Sequence, residues 1–387
     1  MRAKKLIHLA VVYWLIAVFA NCKEKYVLPN VGPPGGYLVV EGVINSGQGP
    51  TNIRLSRTLG LVDSVRFNPE LHAQVWVEGK DNSKQPLNEK SNGIYNADQL
   101  SINVAQEYRL YIKTTAGKEY YSGYEKVLKT PVIDTINWGR RNGGVEIFVN
   151  THDVQNKIKY YRWEFEETWE FHSKYFSQLK YVRNPATNKI VDVESRPYDE
   201  QIKMYYCWKD ENSTEILIGS SESLSRDTIH LPIRFIPRAN WKLSVLYSIK
   251  VRQNAIGAGE YDFLRRMKKN TEQVGSLFDA QPSELVGNIQ CASNPAELVM
   301  GYVGVADIQE KRIFIRKDEV PDWGFFEYCD EKRIPNIPDT LEFYSHAIPT
   351  IPLEYSGPRV TALNVTEVAT CADCTLRGTN VKPSFWP

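Results

Sequence analysis

Six cysteines and six histidines are the side chains from which covalent or metal chemistry would most readily be built, and their spacing separates them. Cys22 ends an apolar run from Leu6 to Ala20 that is interrupted only by His8 and preceded by Arg2, Lys4 and Lys5. The run is about 15 residues, short of the roughly 20 that a spanning helix needs, so residues 1–21 read as a cleaved export signal. A thiol at that boundary is the acceptor for lipid transfer before cleavage. Palmitate-like chains then hold the mature protein on a bilayer at about 0.8 kcal/mol per buried CH2. Cys22 is therefore the candidate lipidation site, although Phe19 and Asn21 stand where such motifs prefer Leu and Gly or Ala.

The other five cysteines, Cys207, Cys291, Cys329, Cys371 and Cys374, would meet an oxidising compartment after export, and disulfides are the expected chemistry. Five is odd, so at most two bridges form and one thiol is left over. Cys371-Ala372-Asp373-Cys374 has the spacing of a zinc or redox motif. A structural zinc would need a second close Cys/His pair, and a redox motif would open a helix, whereas Leu376, Gly378 and Pro383 follow.

His8, His72, His152, His172, His230 and His346 form no His-Glu-x-x-His arrangement, so a zincin site is unsupported. Gly219-Ser220-Ser221-Glu222 is no nucleophile elbow, and Gly257-Ala258-Gly259 lacks the third Gly and the Lys of a phosphate loop and reads as a helix entry. Glu164, Glu166, Glu167 and Glu170 could pair for glycoside chemistry, but acids at this spacing on a strand also describe a solvated face. No catalytic residue and no cofactor is expected.

Four Asp-(Ser/Thr)-apolar triplets, at Asp63-Ser64-Val65, Asp134-Thr135-Ile136, Asp227-Thr228-Ile229 and Asp339-Thr340-Leu341, make Ser64, Thr135, Thr228 and Thr340 candidate O-glycosylation sites. Average composition would supply about one or two such triplets by chance.

The elements that must carry these residues are mostly strands. With 42% hydrophobic and 24% charged residues over 387 positions, the chain can bury more than one core. Its formal net charge of +1 argues against an electrostatic grip on nucleic acid. Lys23 to Gly36 is polar and Pro/Gly-rich, a tether over 22–35. From Tyr37 to Thr130 about six short strands alternate with turns, which predicts a sandwich over 36–130. Thr130-Pro131 marks a break, and a second strand series begins at Ile133.

In Tyr160 to Trp169, Tyr161, Trp163 and Phe165 share one face and Arg162, Glu164 and Glu166 the other. That alternation predicts a core strand with a charged outer face rather than an aromatic sugar platform. Asn240 to Arg252 reads as a further strand. Tyr261, Leu264, Met267, Thr271 and Val274 recur at helical spacing with Gly275 beyond, an amphipathic helix near 260–275 ended by a Gly cap. Met300 to Ala306 and Arg312 to Arg316 read as strands, and Pro-rich segments lie between Pro335 and Pro358. The expected fold is mainly β: two immunoglobulin-like β-sandwich domains, 36–130 and 131–387, the second enlarged by loops and the one helix.

Three stretches, YLVVEGVINSGQGPTNIRLSRT (37–58), LVGNIQCASNPAELVMGYVGVA (285–306) and CADCTLRGTNVKPSFWP (371–387), together resemble the domain-of-unknown-function 4249 family of Bacteroidetes-type outer-membrane lipoproteins. The resemblance implies export, lipidation at Cys22, a β body and association with TonB-dependent nutrient-uptake transporters. It assigns no reaction. Lys23-Glu24-Lys25 carries fewer acids than surface-displayed lipoproteins of such bacteria, yet the cell surface is favoured over the periplasmic face. The resulting expectation is a non-enzymatic accessory lipoprotein for ligand capture or transporter assembly. A surface adhesin or glycan binder, motivated by 9 Trp, 22 Tyr and 14 Phe, and an uncharacterised hydrolase are the rivals.

Overall fold

The computed structural model describes residues 36–59, 67–141, 143–272 and 285–387. Residues 1–35, which hold the expected signal, Cys22 and the expected tether, lie outside the described residues, as do Ser64, Val274 and Gly275. The chain is mainly β and sandwich-like.

The first sandwich follows from period-2 alternation. In Thr51–Arg57, Thr51, Ile53 and Leu55 are buried while Asn52 and Arg54 are exposed; in Glu107–Lys113, Tyr108, Leu110 and Ile112 are buried. Strands neighbour one another in the order Glu119–Ser122, Glu107–Lys113, Gln74–Gly79, Lys84–Ser91, Ile94–Ala97, Thr51–Arg57, Leu38–Gly42. Lys84–Ser91 pairs with Gln74–Gly79 through its first half and with Ile94–Ala97 through its second, so one strand passes from sheet to sheet.

The break at Thr130 does not end the chain's part in this body. Ile289–Cys291 pairs with Glu119–Ser122, Val299–Met300 runs parallel to Leu38–Gly42, and Val305–Ala306 parallel to Ile44–Asn45. Ile289, Cys291, Val299, Val303 and Val305 fill the same core as Leu38, Ile53 and Tyr95. Glu297, 3% exposed at its side chain, locks the return by accepting from Tyr120 Oη at 2.7 Å and pairing with Lys118 at 2.5 Å. Gly301 makes the parallel approach possible: φ is +137°, and a Cβ there would lie 2.1 Å from the Val40 carbonyl oxygen.

The second body stacks a sheet of Ile133–Arg141, Gly144–His152 and Thr228–Pro237 on one ordered Tyr206–Asn212, Tyr160–His172, Leu246–Ala255, Ile308–Arg316. Trp163, Trp169, Tyr161 and Phe171 from the central strand fill the space between them, and Tyr161, Trp163 and Phe165 face inward as the alternation predicts. Asn240 to Arg252 is not one strand. Asn240 caps a 3-10 turn, Trp241–Leu243, by accepting from the Lys242 amide, and pairing starts at Leu246.

The predicted helix spans Ala258–Glu272. Two short helices, Tyr198–Tyr205 and Pro338–Phe343, carried no readable periodicity. The Pro-rich stretch holds the strand Ile348–Ser356. It pairs with Arg359–Thr366 over a small third core with Leu179, Ile190 and Leu341.

Two disulfides, Cys207–Cys374 and Cys329–Cys371, pin the C-terminal segment to this body, so the Cys371/Cys374 pair bridges outward and not to itself. Cys291 is the remaining thiol, buried, with its sulfur 3.3 Å from Ser293 Oγ. Trp386 closes the tail, its indole N–H donating to Glu170 at 2.9 Å.

Candidate functional site

The junction between the two sandwiches is fixed by one acid. Asp307, 5% exposed, accepts from the Thr130 amide at 2.6 Å and pairs with Lys129 at 2.5 Å. Thr130 Oγ1 in turn accepts from the Ala255 amide at 3.0 Å. The predicted break is thus a clamp that holds two outer sheet faces opposite each other.

Between those faces lies a cleft of about 950 Å³, continuous with a second space of about 400 Å³ through Gly42, Asn52, Arg162, Glu164 and Arg252. One wall is the outward side of Leu38–Gly42 and Thr51–Arg57, where Glu41, Asn52 and Arg54 project. The other is the charged outer face of the central strand, where the sequence placed Arg162, Glu164 and Glu166. Helix Ala258–Glu272 covers one end with Leu264, Met267 and Thr271.

The charges across the second wall are matched. Arg162 meets Glu164 at 2.5 Å, Arg252 meets Glu310 at 2.7 Å, and Glu166 meets Lys250 and Arg312 at 3.3 Å each. Desolvation works against the Glu166 charge, but Lys250 and Arg312 outweigh it and keep the carboxyl below its usual range. Glu41 and Arg54 face each other across neighbouring strands, and neither has an ion-pair partner among the described residues. Arg54 leans on the Phe67 ring at 5.8 Å. Arg252–Glu310 is exposed at both ends and Arg162–Glu164 at its carboxylate, and exposed ion pairs contribute little to stability and can be exchanged for contacts to a polar ligand.

The four glutamates of the central strand do not form one site. Glu164 and Glu166 line the cleft, while Glu170 holds His172 at 2.8 Å and Trp386. Glu167 faces the core, 2% exposed, where Arg234 and Lys242 pair with it and Tyr247 donates at 2.8 Å. The period-2 count already puts residue 167 on the aromatic face, and that is the signal that could have found it.

Of the triplet residues, Thr135 and Thr228 are exposed on the strands flanking Gly144–His152, with Thr135 Oγ1 accepting from Asn150 at 2.9 Å, while Thr340 is half-buried in a helix. No group of three or more metal-ligating side chains occurs among the described residues, and no described helix is long and apolar enough to cross a membrane.

A family model described as "Domain of unknown function (DUF4249)" matches residues 24–312, which contain both walls of the cleft and the returning segment 285–306. The chain belongs to the DUF4249 family. A search among curated proteins finds no match. Solved structures with a remote likeness to this DUF4249 chain include three of different kinds. A chitinase from Bacillus thuringiensis is 9% identical at TM-score 0.15, over 51% of this chain and 29% of the chitinase, so the chain spans under a third of that enzyme. A candidate carbohydrate binding protein from Bacteroides uniformis is 8% identical at TM-score 0.13, over 57% and 90% of the two chains. A DUF3823 family protein from Bacteroides ovatus is 9% identical at TM-score 0.14, over 56% and 90%. Likenesses this remote transfer neither fold detail nor activity.

Proposed function

We propose that this protein is a lipid-anchored binding protein of the outer membrane, which captures a polar solute in the cleft and presents it to a TonB-dependent uptake system. The observation that carries the reading is the cleft of about 950 Å³ between two clamped sheets, within the size range of small-molecule sites. Its exchangeable ion pairs and its unpaired Glu41 and Arg54 offer both signs of charge to a ligand. Cys22 and the tether supply the anchor.

The test uses the full chain in its native membrane. Wild type and an Arg54→Ala, Arg252→Ala variant are purified by affinity tag, and co-purifying solutes and transporter are identified by mass spectrometry. The wild type is expected to retain a polar solute that the variant loses, with membrane fractionation abolished by Cys22→Ser. Recovery of the same solute profile from both proteins would remove the cleft from the proposal.

A glycan-binding reading has its own observation. Trp76, Tyr111 and Tyr121 form a half-buried row on the outer face of the first sandwich, with ring centroids 5.1 and 4.9 Å apart, and Arg109 lies 4.3 Å from the Tyr121 ring. Sugar retention lost in Trp76→Ala and kept in the Arg54, Arg252 variant would move the site to that row.

A further inference from the structure

Among the described residues, Glu260 is the one buried carboxylate at the junction that the fold leaves without a donor. It stands in the first turn of helix Ala258–Glu272, is 2% exposed, and its Oε1 has no hydrogen-bond partner and under 1 Å² of exposed surface. Oε1 is closed to solvent, whereas the residue as a whole lines a small space of about 320 Å³ together with Lys126 and Gly304. The nearest cation is Arg162, whose Nη1 lies 4.0 Å from Oε1 while its Nη2 is held by Glu164 at 2.5 Å. Arg162 and Glu164 both line the cleft.

We propose that Arg162 is shared between Glu164 in the cleft and Glu260 beneath it, so that deprotonation of Glu260 draws the guanidinium inward and leaves Glu164 bare to the cleft. The proton leaves to bulk water, and the cleft changes from a neutral pair to a net negative site, favouring cationic groups on a ligand. Of the other charged groups near Glu260, the carboxylates Glu125 and Glu107 oppose its charge and Lys126 favours it. Glu125 accepts from Tyr302 at 2.8 Å and from Asn288 at 3.1 Å, and Glu107 is paired with Lys80 at 2.8 Å. Lys126 shares that space of about 320 Å³ with Glu260, but Arg162 is the cation within ion-pair distance. Desolvation foremost, with Arg162 opposing it and Glu125 and Glu164 adding to it, pushes the Glu260 carboxyl up to about 7. The exchange therefore falls in the neutral range.

This device rests on the cleft being the binding site, but its test needs no ligand. Full-length protein carrying 13C-labelled glutamate carboxyls and 15N-labelled arginine side chains is titrated by NMR from about pH 5 to about pH 9. A carboxyl signal absent from Glu260→Gln is expected to titrate near pH 7, and the Arg162 Nε signal, assigned by Arg162→Lys, should move with the same midpoint. Glu164→Gln, at a half-exposed side chain where folding is not at risk, should lower that midpoint by about one pH unit, because Arg162 is then released to Glu260. A flat Arg162 signal, a Glu260 midpoint near its ordinary 4.5, or an unmoved midpoint in Glu164→Gln would each overturn the proposal. A failed search for a cleft solute would leave this result standing, so the two readings fall separately.

Discussion

Two glutamates, Glu167 and Glu260, are buried to the same 2% exposure and are provided for in opposite ways. Glu167 sits inside the second sandwich with Arg234, Lys242 and Tyr247 turned onto it. Glu260 sits at the edge between the sandwiches with one oxygen unsatisfied. A buried charge surrounded by fixed donors becomes part of the framework, because removing any member strands the others. A buried carboxyl with no donor costs stability whenever it ionises, and groups perturbed in this way cluster at functional sites.

The largest way to break this comparison is Glu167→Ala. It leaves Arg234 without its counter-charge and the buried Lys242 with only the half-exposed Glu211, and should cost about 3–5 kcal/mol in urea unfolding. A loss under about 1 kcal/mol would mean the cluster is solvated and not structural.

Glu260→Gln should do the reverse. The folded carboxyl holds its proton up to about pH 7 and the unfolded one only to 4.5, so the folded state binds more protons between those values and stability falls as pH rises through that window. The penalty is absent below about pH 4.5 and complete above about pH 7. Glu260→Gln should therefore match wild type at pH 4 and exceed it by up to about 3 kcal/mol at pH 8, read from paired unfolding curves. Equal stability at both pH values would remove the distinction between the two acids.

The smallest effect sharpens the comparison at the junction. A Cβ on Gly304 would lie 2.4 Å from Glu260 Oε2, so Gly304→Ala must displace the carboxylate, at about 1–2 kcal/mol. The same variant should shift the Glu260 titration midpoint, which a packing defect elsewhere would not do.

Much of the fold was legible because half-buried strands alternate. Thr51–Arg57 and Tyr160–His172 declare their inner and outer faces residue by residue, and the second strand's outer face is one wall of the cleft. The helix Ala258–Glu272 was legible for the same reason at a longer period. The 3-10 turn at Trp241–Leu243 was hidden because its apolar residues also fit a strand, and only the Asn240 cap separates the two. Half the site could not be read at all: nothing in Glu41, Asn52 or Arg54 says that an outer face of one sandwich will look across at another.

The sequence by itself carried the pattern read as an export signal, the candidate lipidation thiol, the β character and the odd count of five cysteines beyond Cys22, since each depends on residue type and on neighbours a few positions away. The tertiary structure decided that Cys371 and Cys374 bridge to Cys329 and Cys207. It also decided that residues 289–306 complete the first sandwich, and that Glu167 is partnered and Glu260 is not. These depend on contacts across long separations, 167 residues for one disulfide, and no local pattern encodes which distant group arrives.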